Sequence, residues 1–290
     1  MAAGEQLRVT DPHLHFWDLS TGLYPRRSAR GAGKTALTGD WLPADLRLAA
    51  GRVVVERAVH VEAFPLDGLA EARVQSALAR AEGQPKAIVA YCDLSRPDIN
   101  CALADLAAIP EVRGIRQVLD RWVDRPGQVQ RNLLGDPAWH RGFSCLSAHG
   151  LSFDLQIAPE QIDAAARLAI DHPEVPIVLN HLGRARGQSH DEWRRKIACL
   201  AGCENMRIKL SGFGMFESAP SAESIRPFID TALDLFGSER AMLASNFPID
   251  GQGTAYDELW QHFADATAHL SRSDRARLFG GTADSFYRLG

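Results

Sequence analysis

The chain lacks several features that would place it quickly. No apolar run reaches the ~18 residues of a membrane span, so no membrane is expected as a partner. The first ten residues, Met1 to Thr10, are polar and lack the apolar core of a secretory signal. Cysteine is scarce: Cys92, Cys101, Cys145, Cys199 and Cys203 are odd in number and scattered. A disulfide framework is therefore not expected, and a reducing cytoplasm suits the composition. Cys199 and Cys203 share a helix face by spacing, but two thiols alone do not make a zinc site. Excess basic charge is also missing. Lys and Arg number 32 against 36 Asp and Glu, a net charge of −4, which argues against nucleic acid or an anionic membrane as the main partner. No Gly-x-Gly-x-x-Gly follows the first strand, so the dinucleotide-binding form of the open α/β sheet lacks its fingerprint. The nearest glycine cluster, Gly31-Ala32-Gly33-Lys34, lacks the first glycine of a phosphate loop.

What is present is a 290-residue chain that is 46% apolar, in which short apolar runs alternate with helical patterns. Eight runs read as strands: Arg8–Trp17, Arg57–Glu62, Ala87–Asp93, Arg113–Val118, Leu151–Ile157, Pro176–His181, Arg207–Ser211 and Ala241–Phe247. Ile177-Val178-Leu179 and Ala87-Ile88-Val89-Ala90 are continuous apolar runs, the pattern of strands buried on both faces in a parallel sheet. Between runs, Ile225, Phe228, Ile229, Ala232, Leu233 and Phe236 mark one buried helix face. Ser224 is expected to cap that helix, Pro227 to lie in its first turn and Gly237 to end it. Eight such units in this length predict an α/β fold of the (β/α)₈ barrel type, a single domain over residues 1–290. The long irregular stretch Asp18 to Asp40 then falls on the C-terminal face, where such barrels hold their sites. Tyr24, Arg26, Arg27 and Arg30 make it basic, suited to an acidic substrate or simply to solvent.

Strand-end residues converge on one mouth in such a barrel. His13 and His15 stand two apart on the first strand, so both imidazoles face one way. His181 ends the sixth strand and can meet them. Glu62 ends strand two, on the same side as His60 by alternation, and Arg116 and Gln117 end strand four. The Arg116 fork suits a substrate carboxylate or ring oxygen, or a pair with Asp93 or Asp154. Asp154 is a charge inside an apolar strand, either a catalytic base or the ion-pair partner of an Arg or Lys on a neighbouring strand. Lys209, on the same face as Ser211, is a candidate for such a pair. Phe16, Trp17 and Phe247 offer an apolar wall or core packing, and Asp250 either reaches back over the mouth or caps a turn.

The His-x-His on strand one, the histidine ending strand six and the turn Ser245-Asn246-Phe247-Pro248 together resemble the amidohydrolase superfamily. His15-Phe16-Trp17, Leu42-Pro43-x-Asp45-Leu46, Arg113-Gly114-Ile115-Arg116, Phe153-Asp154-Leu155, Lys209-Leu210-Ser211-Gly212 and Phe236-Gly237-x-x-Arg240 extend the resemblance from Asp11 to Tyr287. The branch it resembles is the amidohydrolase-2 group, the L-fuconolactonase-like and pyrone-dicarboxylate lactonase-like hydrolases. The resemblance implies a hydrolase that opens a small lactone or cyclic ester by water attack on the ring carbonyl. It implies catalytic roles for His13, His15, His181, Asn246 and Asp154, and substrate contacts from Arg116, Glu62, Gln117, Trp17 and Asp250. Relatives usually carry Asp at the end of strand eight, as a metal ligand or a base, and this chain carries Asn246. An amide cannot act as a base near pH 7 and is a weak zinc ligand. No cofactor is therefore expected, and any zinc would rest on His13, His15 and His181. The base stays open among Asp154, Glu62, His181 and Asp250. Three rivals remain: lactone isomerisation by a substrate hydroxyl, a metal-dependent hydrolase or decarboxylase, and a non-catalytic binding barrel.

Overall fold

Eight strands, hydrogen-bonded in chain order and all parallel, form one sheet that curls back on itself. The computed structural model describes residues 6–25, 39–120, 132–185, 187–215 and 217–290. The strands are β1 (Arg8–Leu14), β2 (Val54–Val61), β3 (Ala87–Tyr91), β4 (Val112–Arg116), β5 (Ser152–Leu155), β6 (Ile177–Leu179), β7 (Met206–Leu210) and β8 (Ala241–Leu243). The α-helices between and after them are α1 (Pro43–Ala49), α2 (Gly68–Glu82), α3 (Ile99–Ala107), α4 (Pro137–Ser144), α5 (Ile162–Asp171), α6 (His190–Ala201), α7 (Ala222–Phe236), α8 (Tyr256–Ala266), α9 (Arg272–Ala276) and α10 (Thr282–Tyr287). This is the expected (β/α)₈ barrel. All eight strands occur where expected, but each ends earlier, because their last residues leave the ladder to form the mouth.

Closure is made by β1 and the segment after β8. The Asn246 amide donates to the His13 carbonyl at 2.8 Å, and the His15 amide donates to the Phe247 carbonyl at 2.8 Å. Asp11 reinforces the seam, accepting from the Ser245 amide at 3.1 Å and from the Tyr256 hydroxyl at 3.0 Å. The seam therefore carries two candidate histidines and Asn246 on its own backbone.

Alternation along the strands separates two cores. Ala87 and Val89 of β3 face the barrel interior with Val59, Val61, Val178 and Met242, while Ile88 and Ala90 face the helices. That two-sided burial is why these strands read as continuous apolar runs. The floor of the interior is sealed by the end of the chain: Ala283, Phe286, Tyr287 and Leu289 pack into the inner cluster. Thr10 donates to Asp284 at 2.8 Å, and Arg288 donates to the Gly150 carbonyl at 2.9 Å, so this plug lies below the strand starts.

Local signals set the helix ends. Asp136 caps α4 by accepting from the Ala138 amide, with Pro137 in the first turn. Gly237 ends α7 at φ 71°. The N-terminus of α7 is a correction: Ser221, not Ser224, is the cap, and its hydroxyl accepts from the Ser224 amide at 3.3 Å. Pro227 consequently lies inside the helix rather than in its first turn. All five cysteines are free. Among the described residues, no helix is long and apolar enough to cross a membrane. The Gly31–Lys34 cluster and Arg26, Arg27 and Arg30 lie outside the described residues.

The Tyr287 hydroxyl donates to Asp154 at 2.8 Å in the sealed interior. Tyr287→Phe should lower stability by about 1–3 kcal/mol, the cost of leaving a buried acceptor one donor short. Urea unfolding measures it, and an unchanged midpoint would show that this bond contributes nothing.

Candidate functional site

The inner-face positions of the strand ends bring the site together. A register shift in β1 between Asp11 and Leu14 sets His13, and with it His15 one residue past the strand, on the inner side, while Asp11 turns to Tyr256 of α8; all three are buried. The rings of His13 and His15 lie 5.2 Å apart, and those of His13 and His181 lie 4.5 Å apart. The His15 Nδ1–H donates to the Val61 carbonyl at 2.7 Å, which leaves Nε2 as the acceptor nitrogen of the neutral ring.

His181 reaches this cluster by a backbone turn. By alternation it follows Ile177 and Leu179, which face outward. Its φ of 54°, with Leu182 at 57°, breaks that alternation, and Nδ1 comes to lie 2.9 Å from the Ser211 hydroxyl. Asn246 is likewise left-handed, at φ 56°. Such backbone is costly for residues other than glycine and persists where surrounding contacts enforce it. Here the seam bond from the Asn246 amide is one such contact.

Cations surround His13. The Arg116 guanidinium lies 3.4 Å from its Nε2 and the Lys209 ammonium 3.3 Å from its Nδ1. Burial, with Lys209, His181, His15 and Arg116 nearby, holds the His13 imidazole well below its ordinary pKa. Burial and the charges of Arg116, Lys209 and Arg184 do the same to His181. Both rings are neutral at pH 7.

The cations themselves are committed. Arg116 donates from Nε to Glu62 Oε1 at 3.0 Å, from a terminal nitrogen to the Glu62 carbonyl at 2.6 Å, and from the other to Gln156 at 3.2 Å. Of the partners open to it, the structure shows Glu62 rather than Asp93 or Asp154. Lys209 donates to Asp154 Oδ2 at 2.5 Å, so Asp154, which also accepts from Tyr287, sits in the ion pair that was its other reading. Arg184 pairs with Asp120.

Beside Asn246 stands a different carboxyl. Asn246 Nδ2 donates to Asp250 Oδ1 at 2.9 Å, and Asp250 Oδ2 has no hydrogen-bond partner among the described residues. Burial pushes the Asp250 carboxyl up to about 7, against the lowering effect of Asn246 and of the Gly214 and Gly212 amides. Gly212 also packs against His181: a Cβ there would lie 2.8 Å from the His181 Cβ. One glycine loop thus touches both Asp250 and the histidine cluster.

Two candidates lie elsewhere. Gln117 faces outward, accepting from Trp139 at 2.8 Å and from the Leu94 amide at 3.1 Å, and donating to Asp93 at 3.1 Å. Trp17 is fully buried, packs with Tyr24 and Ala63, and donates to the Gly39 carbonyl at 2.6 Å, tying together the ends of the long loop. His60 does not share a side with Glu62: it accepts from the Phe16 amide at 3.0 Å and lies 3.5 Å from Glu71 of α2. The strand ends at Val61, so alternation stops governing Glu62. Two residues escaped the sequence reading. Asp11 holds the seam, and its place two before His13 was the available signal. Asn180 is fully buried with neither amide atom partnered among the described residues, and each such group costs about 1–3 kcal/mol.

As arranged, these side chains do not fit a metal centre. A cation stands at each nitrogen of His13, and an amide occupies the strand-eight position. Among the described residues, no group of three or more His, Cys, Asp and Glu side chains is placed to hold an ion.

Comparison with known proteins agrees with this architecture. An uncharacterized protein of Sinorhizobium fredii, y4mH, is 36% identical, covering 98% of this chain and 99% of that protein. An L-fucono-1,5-lactonase of Burkholderia ambifaria is 29% identical, over 96% of this chain and 95% of its own. A crystal structure of an amidohydrolase from Burkholderia multivorans with bound HEPES superposes with a TM-score of 0.83 at 26% identity, covering 99% of this chain and 100% of its own. A second crystal form with bound zinc, also 26% identical with the same coverage, gives a TM-score of 0.82. The amidohydrolase family model matches residues 10–289, from the strand that bears His13 and His15 to the plug that seals the barrel, and the chain belongs to the amidohydrolase family.

Proposed function

We propose that this barrel hydrolyses a small lactone, with Asp250 as the general base that activates water. The observation that carries this reading is the Asp250 carboxyl, buried, held by Asn246 at 2.9 Å and poised at about 7. A general base works best when its pKa lies near the working pH. The similarity to relatives named as L-fucono-1,5-lactonases supports the lactone as substrate.

In this mechanism Asn246 donates to Oδ1 and aims Oδ2 at a water molecule. Asp250 takes a proton from that water as its oxygen bonds to the lactone carbonyl carbon. The carbonyl π electrons move onto oxygen, and the resulting oxyanion is stabilised by the positive field of Arg116 and Lys209 and by an N–H donor of the neutral His181. Collapse re-forms the carbonyl and breaks the bond to the ring oxygen, which receives the proton from Asp250. The product is a hydroxy acid, whose ionisation releases one proton per turnover. Arg116 is held by three hydrogen bonds to Glu62 and Gln156, and we assign it an electrostatic and architectural part rather than a direct grip on a substrate carboxylate.

Asp250→Asn should leave the fold intact and lower kcat by ~10²-fold or more, the scale of a positioned base. Wild-type activity should rise with pH through about 7, as the carboxylate forms. Stability carries the opposite slope. The folded state holds this proton above the ordinary 3.8, so stability falls as pH rises from there to about 7, and Asp250→Asn removes that dependence. A variant with wild-type kcat and an unchanged pH profile would exclude Asp250 as the base.

Asn246→Asp sets a second carboxylate beside Asp250. Like-charge repulsion should move the acid limb of the pH–rate profile upward with the same product. A product mixture that shifts from isomerised towards hydrolysed lactone would instead support attack by a substrate hydroxyl in the wild type.

The donor set also makes a prediction about metal. Protein purified without added metal should hold substoichiometric metal and keep its activity after chelation and dialysis. Stoichiometric zinc whose removal abolishes turnover, and whose return restores it, would overturn the assignment of water activation to Asp250 alone.

A further inference from the structure

Asn180 lies on the inner wall of the barrel at the end of β6. Its backbone, at φ −82° and ψ 144°, is still extended, so its side chain continues on the face of Val178, which belongs to the inner cluster. Val178 pairs in register with Asp154 on one side and Arg207 on the other. Two residues further on, the same alternation sets Asn180 between Gln156 and Lys209, one layer above the hydrophobic interior. Gln156 is occupied by Arg116 and Asp120, and Lys209 by Asp154. Asn180 is fully buried, and among the described residues neither its carbonyl nor its amino group has a partner. An aliphatic side chain would fill the same space without that cost.

Building on the lactone reading above, we propose that Asn180 is a specificity residue that binds a hydroxyl group on the substrate ring. A carboxamide offers one acceptor and two donor hydrogens, and a hydroxyl both donates and accepts. One secondary hydroxyl, or a neighbouring pair, satisfies both ends of Asn180 at once. The substrate class is therefore a lactone that bears at least one ring hydroxyl. A site that hydrogen-bonds a substrate hydroxyl also rejects analogues without it, because its own buried groups stay unpaired.

The test compares wild type with Asn180→Leu, using δ-lactams as non-hydrolysed stand-ins. Calorimetry measures binding of a panel of hexono-1,5-lactams and of piperidin-2-one, which carries no hydroxyl. Wild type should bind the best hydroxylated lactam ~10- to 100-fold more tightly than piperidin-2-one, and Asn180→Leu should lose most of that preference. The variant's affinity for piperidin-2-one should be unchanged and its Tm equal or higher. A wild type without preference, a variant that keeps it, or a variant that weakens both lactams equally would each overturn the proposal, and an equal loss with a lowered Tm would mark Asn180 as structural. Failure of the lactonase reading shows up separately, as selective binding of hydroxylated lactams without turnover of the matching lactones.

Discussion

Charge inside the barrel mouth is tolerable only when it is paired, and that constraint organises the site. Arg116 and Lys209 are fully buried, and each holds a carboxylate from a neighbouring part of the barrel: Glu62 for the first, Asp154 for the second. Removing one partner of such a pair costs about 3–5 kcal/mol, because the other charge is left stranded. The pairs therefore fix the relative positions of β2, β4, β5 and β7 at the level of the candidate site. Tyr287 brings the C-terminal plug into the same network through Asp154. The floor of the barrel and its reactive mouth are thus joined by one chain of buried hydrogen bonds.

The same pairing sets the protonation of everything near it. With two ammonium-type groups at hydrogen-bonding range, His13 cannot take on a further positive charge, and His181 feels the same field. Asp250 is the converse case: buried, with the neutral amide of Asn246 where a cation would have held it ionised. Its carboxyl rises to about 7. Replacing a strand-eight carboxylate by an amide thus need not remove a base. On the function proposed above, the base lies four residues along, with the amide as the group that orients it.

Much of this was legible in the sequence. Continuous apolar runs such as Ile177-Val178-Leu179 announce strands buried on both faces, and eight of them separated by helical stripes leave few folds. His13 and His15 share a face because they are two apart on a strand, and Asp154 as an ion-pair residue follows from a charge inside an apolar run. Where the reading slipped, alternation either assigned the opposite face or had ceased to apply. Gln117 lies one past the inward Arg116 and so turns to the outer layer, and Glu62 lies beyond the end of β2 while His60, still within it, faces α2.

Sequence by itself determined the barrel, the order of its strands and the faces of residues within them, because hydrogen-bond geometry ties side-chain direction to strand position with a period of two. Tertiary structure alone decided which carboxylate each cation holds, that His181 and Asn246 turn through left-handed backbone into the mouth, and that the amide of Asn180 has no partner among the described residues. These depend on groups far apart in the chain meeting in a closed, water-poor space, where one unpaired charge or amide costs as much as many local preferences combined. No local pattern encodes which distant partner arrives to pair it.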